Sequence, residues 1–157
     1  MKPLISIGIP VKNGFKNKTE KDINLEKALY SILNQSYNNM EIIISNNCST
    51  DKTKAFLEDI SKTDKRIKVF DQTKEISGGE NFQFVLDQSK GKYFRWHAAD
   101  DFMSPNYIED NFYFLENNHE YVASSSKFFF ENDKTNCYSH NLNEGLYDRI
   151  KHFFNIR

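Results

Sequence analysis

The chain is poor in cysteine, in net charge and in long apolar runs, and each shortage removes a class of protein. Cys48 and Cys137 are the only cysteines in 157 residues. They lie far apart, without the spacing of a zinc site or a disulfide framework, which points to a reducing compartment. A formal net charge of -1 gives no overall attraction for nucleic acid, and no stretch of about 18 apolar residues is present to cross a bilayer. No nucleic-acid partner and no transmembrane segment are expected; a membrane role would have to be local, as in peripheral association. The opening MKPLISIGIPV has one lysine and a short apolar run but no small-residue cleavage site, so it reads as a first strand of a cytoplasmic protein. Neither GxxxxGK[ST] nor GxGxxG follows that strand, which removes the main support for P-loop and dinucleotide-binding readings. No internal repeat or low-complexity segment is present.

What the chain does contain is a regular alternation of strand and helix patterns, with 38% hydrophobic and 15% aromatic residues to build a core. Ile5 to Val11 is near-continuously apolar, the pattern of a strand buried on both faces of a parallel sheet. Leu25, Ala28, Leu29, Ile32 and Leu33 recur at helical spacing behind Asn24, a suitable N-cap. Glu41 to Ser45 predicts a second strand. Asp51 to Ser61 predicts a second helix capped by Ser49 or Thr50, and Ile67 to Phe70 a third strand. A Gly78-Gly79 turn opens a third helix through Phe82, Val85 and Leu86, and Tyr93 to His97 forms a fourth strand after the turn at Lys90-Gly91-Lys92. Further on, Asn106 to Asn117 reads as helix, Tyr121 to Ser125 as strand, and Lys127 to Phe130 as its extension or the start of another. Residues 132–143 read as polar turn, and Leu146 to Phe154 as a last amphipathic helix. The expected fold is α/β: an open, mostly parallel, Rossmann-like sheet with helices on both faces and right-handed crossovers.

Open α/β sheets bind ligands beyond the carboxyl ends of their strands. Three loops leave strands on that edge: Pro10-Val11-Lys12-Asn13, Ser45 to Asp51, and Ala98-Ala99-Asp100-Asp101. The adjacent carboxylates of Asp100 and Asp101 are hard oxygen ligands suited to a divalent cation. The plain alternative is that they begin a loop or cap the helix that starts near Pro105. His97 reads first as a packed neighbour of the acids, Phe94 and Trp96 as core, and Arg66 and Lys68 as surface. Arg95 alternates with the aromatics and is assigned to neither face. The Lys-rich loop from Lys12 to Lys21 reads as solvated.

SIGIPVKNG, then LEKALYSILNQSYNNMEIIISNNCSTDKT, then GGENFQFVLDQSKGKYFRWHAADD occur in an order that resembles the nucleotide-sugar-binding half of a family 2 glycosyltransferase of the GT-A fold. The resemblance covers roughly residues 3–126. It implies a nucleotide-diphosphate sugar as donor, with Pro10, Val11 and Asn13 in the first loop and Asn47 in the second contacting the nucleoside, Asn47 facing the base. Asp100 would lie near the ribose or sugar, and Asp101 would ligate Mn2+ or Mg2+. Residues 1–126 are then the donor-binding domain and residues 127–157 the start of an acceptor-side segment, apparently truncated.

The implied reaction is metal-dependent, inverting transfer of a sugar to a glycan or lipid-linked acceptor in cell-surface polysaccharide synthesis. The Lys, Asn, Ile and Phe bias suggests a bacterial source. The general base is expected beyond Arg157, since nothing in their setting marks Glu144 or Asp148 for that role, and the chain alone is expected to transfer no sugar. A bare face where an acceptor half would pack leaves room for a homo-oligomer. Lys12 stands where the family commonly has a base-stacking tyrosine, and Asn46-Asn47 replaces acids of the second loop. A neutral amide can rotate to donate or accept, so base discrimination is expected to be poor. A truncated, non-catalytic nucleotide-sugar-binding module is the alternative; a sugar-phosphate nucleotidyltransferase lacks its Gly-rich, basic signature here.

Overall fold

The computed structural model describes residues 2–15, 24–119, 128–130 and 133–138. The chain divides into two compact units, Met1–Asn106 and Tyr107–Arg157. The first holds a four-stranded, all-parallel sheet made of β1 (Ile5–Val11), β2 (Met40–Asn46), β3 (Ile67–Asp71) and β4 (Tyr93–Trp96). Helices α1 (Leu25–Leu33), α2 (Thr53–Thr63) and α3 (Gly78–Asp87) connect them.

The apolar β1 run is a central strand, and Ile7, Ile9, Ile42, Ile43 and Ile44 are wholly buried. Each such side chain contributes roughly 1.5–3 kcal/mol. Leu25, Ala28, Leu29 and Ile32 of α1 are also wholly buried, as their spacing predicts. Asn24 caps the helix by accepting from the amides of Glu26 and Lys27.

Strand order is β3-β2-β1-β4. The chain steps from β1 to β2 to β3 in one direction, then returns to the far side of β1. With right-handed crossovers, that reversal puts α1 and α2 on one face and α3 on the other. Side chains on the α3 face agree: Phe84 meets Phe70 with ring centroids 5.4 Å apart, and the Asn81 Oδ1 accepts from Ser45 Oγ at 2.6 Å. A Cβ on Gly8 would lie 2.7 Å from Val85 Cγ2, so α3 approaches β1 closely there. The reversal also creates a switch point between β1 and β4, the place where such sheets leave a crevice at their carboxyl ends. Phe94 and Trp96, expected as core, are half-buried on the α3 face, and the Trp96 indole N–H donates to the Phe82 carbonyl.

At the opposite, amino edge lies a buried polar cluster. Glu41 accepts from Ser6 Oγ, the Lys90 amide and Lys68 Nζ, each at 2.6 Å, and Gly91 N–H donates to Ser6 Oγ at 2.8 Å. Lys68, exposed as expected of a surface residue, is tied to this buried carboxylate. A Cβ on Gly91 would lie 2.7 Å from the Ser6 backbone nitrogen. Gly91→Ala must therefore displace β1, and a loss of about 1–3 kcal/mol is expected. Urea denaturation checks it; an unchanged midpoint would contradict the close approach.

Two elements differ from the sequence expectation. Helix α2 starts at Thr53 rather than Asp51, and its N-cap Lys52 makes no side-chain cap bond. Ser49 and Thr50 are engaged with Asn13 instead, and Asp51 Oδ1 accepts from the Thr53 amide at 2.9 Å. Within residues 132–143, expected as turn, Asp133–Tyr138 forms β6, antiparallel to β5 (Phe128–Phe130). Backbone pairing satisfies the ladder whatever the polarity of the side chains. The second unit also contains α4 (Tyr107–Asn117). The strand expected at Tyr121 to Ser125 and the helix expected at Leu146 to Phe154 lie outside the described residues.

Candidate functional site

Four strand ends converge on one edge, because Val11 pairs with Asn46, Asn46 with Asp71, and Gly8 with Trp96 in the parallel register. The first two loops are stitched together by hydrogen bonds. The Asn13 amide donates to Ser49 Oγ at 2.8 Å, and Asn13 Oδ1 accepts from the Thr50 amide at 2.7 Å. The Gly14 amide donates to Thr53 Oγ1 at 2.8 Å, the Phe15 amide to Asp51 Oδ2 at 2.9 Å, and the Asn47 amide to the Val11 carbonyl at 2.8 Å. Burial raises the Asp51 pKa, but the bonds from Thr53 and Phe15 outweigh it and hold the carboxyl below the usual range. Val11, Asn13 and Asn47 are thus brought together, with Pro10 half-exposed one residue earlier.

Both loops turn through left-handed backbone, at Asn13 (φ 56°) and Cys48 (φ 52°). Asparagine tolerates this conformation; cysteine is penalised by roughly 1–2 kcal/mol. Cys48→Gly is expected to raise stability by about 0.5–1 kcal/mol, the relief being partly offset by glycine's greater freedom when unfolded. Denaturant titration reads the change, and a lowered midpoint would show that the Cys48 Sγ contact with the Gln72 carbonyl, at 3.3 Å, outweighs the strain.

A fourth loop joins the site, which sequence reasoning missed. Asn47 Nδ2 donates to the Ile76 carbonyl at 2.7 Å, and its Oδ1 accepts from the Ile76 amide at 2.9 Å. The amide is locked by the segment between β3 and α3, which corrects the expectation that it rotates freely. Lys12, in that same corner, forms an ion pair with Glu75. The only sequence signal for this loop was its position after β3, on the same edge as the other three. Of the Lys12 to Lys21 loop, residues 16–21 lie outside the described residues.

Asp100 and Asp101 follow β4, on the other side of the switch point from β2, and both are exposed. Partial burial and the neighbouring Asp100 charge raise the Asp101 pKa, with Arg95 acting against them. A carboxylate whose charge is disfavoured by burial and an acidic neighbour suits a cation that would offset it. Among the described residues no group of three or more His, Cys, Asp or Glu is arranged to hold a metal ion. Asp100 and Asp101 alone would offer a divalent cation two hard carboxylate ligands. His97 is 2% exposed, and burial, then the Arg95 charge, lower its pKa to about 4, so it is neutral near pH 7.

Comparison with known proteins gives the same picture from another direction. The family model described as Glycosyl transferase family 2 matches residues 6–156. An uncharacterized glycosyltransferase of Haemophilus influenzae is 39% identical over 102 residues, 65% of this chain and 32% of the relative. The GalNAc(5)-diNAcBac-PP-undecaprenol beta-1,3-glucosyltransferase of Campylobacter jejuni is 34% identical over 100 residues, 63% of this chain and 30% of that protein. Among solved structures, S. aureus TarS 1-349 in complex with UDP aligns with a TM-score of 0.61 at 22% identity, covering 73% of this chain and 32% of that one. The mannosyltransferase PcManGT of Pyrobaculum calidifontis, in complex with GDP-Man and Mn2+, aligns with a TM-score of 0.54 at 18% identity, covering 65% of this chain and 29% of that one. These likenesses bear out the expected GT-A fold. The chain spans between 30% and 44% of the length of the first curated relatives it matches.

Proposed function

Because the chain belongs to glycosyl transferase family 2, we propose that its carboxyl edge binds the nucleoside diphosphate of a sugar donor for transfer to a glycan or lipid-linked acceptor. The observation that carries this reading is the convergence of four loops at the carboxyl edge of the sheet, with a carboxylate pair on one side of the β1/β4 switch point and hydrogen-bonded loops on the other. Pro10, Val11, Asn13 and Asn47 are proposed to line the nucleoside. Asp100 is placed toward the ribose or sugar, and Asp101 toward Mn2+ or Mg2+. The UDP bound to TarS and the GDP-Man and Mn2+ bound to PcManGT support a donor of this class. The undecaprenol-linked substrate in the name of the Campylobacter relative supports a lipid-linked acceptor, and a role in cell-surface polysaccharide synthesis is proposed with it. Among the described residues no helix is long and apolar enough to cross a membrane, and a cytoplasmic location is proposed.

Leaving-group departure is the step this edge can assist. A bound divalent cation supplies Lewis-acid neutralisation of the diphosphate charge that grows as the glycosidic bond breaks. Asp101 would hold that cation and Asp100 would face the ribose or sugar, while the stitched loops around Asn13 and Asn47 fix the nucleoside and so the direction in which the anomeric carbon faces. Attack by an acceptor hydroxyl from the side opposite the diphosphate gives inversion. No described residue is assigned as its general base.

Calorimetry with UDP and GDP, in MnCl2 and in excess chelator, tests the proposal. Binding is expected to be at least about tenfold tighter with the cation for the preferred nucleotide. Equal affinity in both conditions would remove the metal role, and no binding of either nucleotide in MnCl2 would count against the donor site.

A further inference from the structure

We infer that His97 is a positioning residue that holds the Asp101 turn in register with β1. This rests on the reading of Asp101 as the donor-site carboxylate. The backbone N–H of His97 donates to the Gly8 carbonyl at 2.9 Å, which makes His97 the last rung joining the fourth strand to the first. Its ring Nε2 lies 3.2 Å from the Asp101 carbonyl oxygen, and the Asp101 amide closes the turn onto the Ala98 carbonyl at 3.2 Å. A carbonyl only accepts, so Nε2 carries a proton and donates it to Asp101. One residue therefore links the sheet ladder, through its backbone, to the backbone of Asp101, through its ring. The Asp101 carboxylate takes no hydrogen bond among the described residues, so its place is set through its own backbone.

Nδ1 is buried with no hydrogen-bond partner among the described residues. Buried polar atoms are nearly always paired, and an exception calls for an explanation. A leucine in this place would pack without an orphaned nitrogen, so stability alone gives no reason for a histidine. The Nε2 bond to Asp101 gives one. Second-layer groups that orient metal ligands typically change affinity by about 10–100-fold when removed.

The test uses the full chain with His97→Leu, His97→Gln and Asp101→Asn, measuring melting temperature without ligand and calorimetric affinity for UDP in MnCl2. His97→Leu is expected to keep or raise the melting temperature while weakening Mn2+-dependent UDP binding about tenfold or more. His97→Gln, whose amide nitrogen can still donate to the Asp101 carbonyl, is expected to recover most of that affinity. If Asp101→Asn weakens binding and His97→Leu does not, the inference fails while the donor site stands. If Asp101→Asn itself leaves Mn2+-dependent binding unchanged, the donor-site reading fails first. A His97→Leu chain that melts much lower, with no recovery in His97→Gln, would make His97 a structural residue only and overturn the inference.

Discussion

Asp101→Asn is expected to weaken Mn2+-dependent nucleoside diphosphate binding by about 10²-fold or more, since removal of even an outer-layer partner of a metal ligand costs about 10–100-fold. The substitution keeps size and hydrogen-bonding capacity but removes the charge that offsets a divalent ion. Asp101 is exposed, and its backbone is held by His97 and Ala98 rather than through its carboxylate, so the fold should survive. Binding in excess chelator should change little or improve, because one negative charge facing the diphosphate is gone. That opposite response separates loss of a metal ligand from general damage. Asp101→Asn binding as tightly as the parent in MnCl2 would move the metal role elsewhere.

The largest expected effect on stability lies at the other edge of the sheet. Glu41 is 4% exposed and accepts from Ser6, Lys90 and Lys68. Glu41→Ala leaves a buried hydroxyl and a backbone amide without their acceptor, each costing about 1–3 kcal/mol. Lys68 is 43% exposed at its side chain and can turn to water, so the ion pair adds little. A total loss of about 3 kcal/mol is expected in urea denaturation at pH 7.

Burial raises the Glu41 pKa, yet hydrogen bonds from Lys68, Ser6 and Lys90 outweigh it and leave the carboxyl below its usual range. A group with a lowered folded-state pKa stabilises the fold fully above its unfolded pKa, about 4.3 for glutamate. That contribution fades as pH falls from there through the folded value. The parent should therefore lose stability below about pH 4.3 more steeply than Glu41→Gln does. Parallel slopes would show that the cluster does not hold a charged glutamate. A folded Glu41→Gln chain should keep its Mn2+-dependent nucleotide affinity, because this cluster lies at the amino edge.

The parts of this protein legible in its sequence are those set by local pattern. The β1 run, the α1 stripe behind Asn24 and the helix opened at Gly78-Gly79 all follow from spacing and capping, and the structure has them within a residue or two. The family resemblance was carried by ordered blocks that these same elements display. What escaped depends on partners distant in sequence. Ser49 and Thr50 would cap α2 in isolation, but Asn13, 36 and 37 residues away, takes them both. The lock on Asn47 comes from Ile76, 29 residues on, in a loop with no motif of its own. For His97 only burial and a backbone carbonyl reveal the role, and neither leaves a mark on residue type. The same holds for Glu41, a charged residue that alternation alone would send to solvent.

Paramagnetic broadening by Mn2+ tests the central claim most directly. Substoichiometric Mn2+ is added with UDP to 15N-labelled chain, and amide signals are followed residue by residue. Strand β1 has seven residues, so the two edges of the sheet are separated by roughly 20 Å at about 3.3 Å per residue. The account predicts that the amides of Asp100 and Asp101 vanish first and those of Asn13 and Asn47 next, with UDP required for the full effect, while Glu41 and Gly91 stay sharp. Broadening centred on the Glu41 edge, or spread evenly over both, would contradict a donor site at the carboxyl ends of the strands.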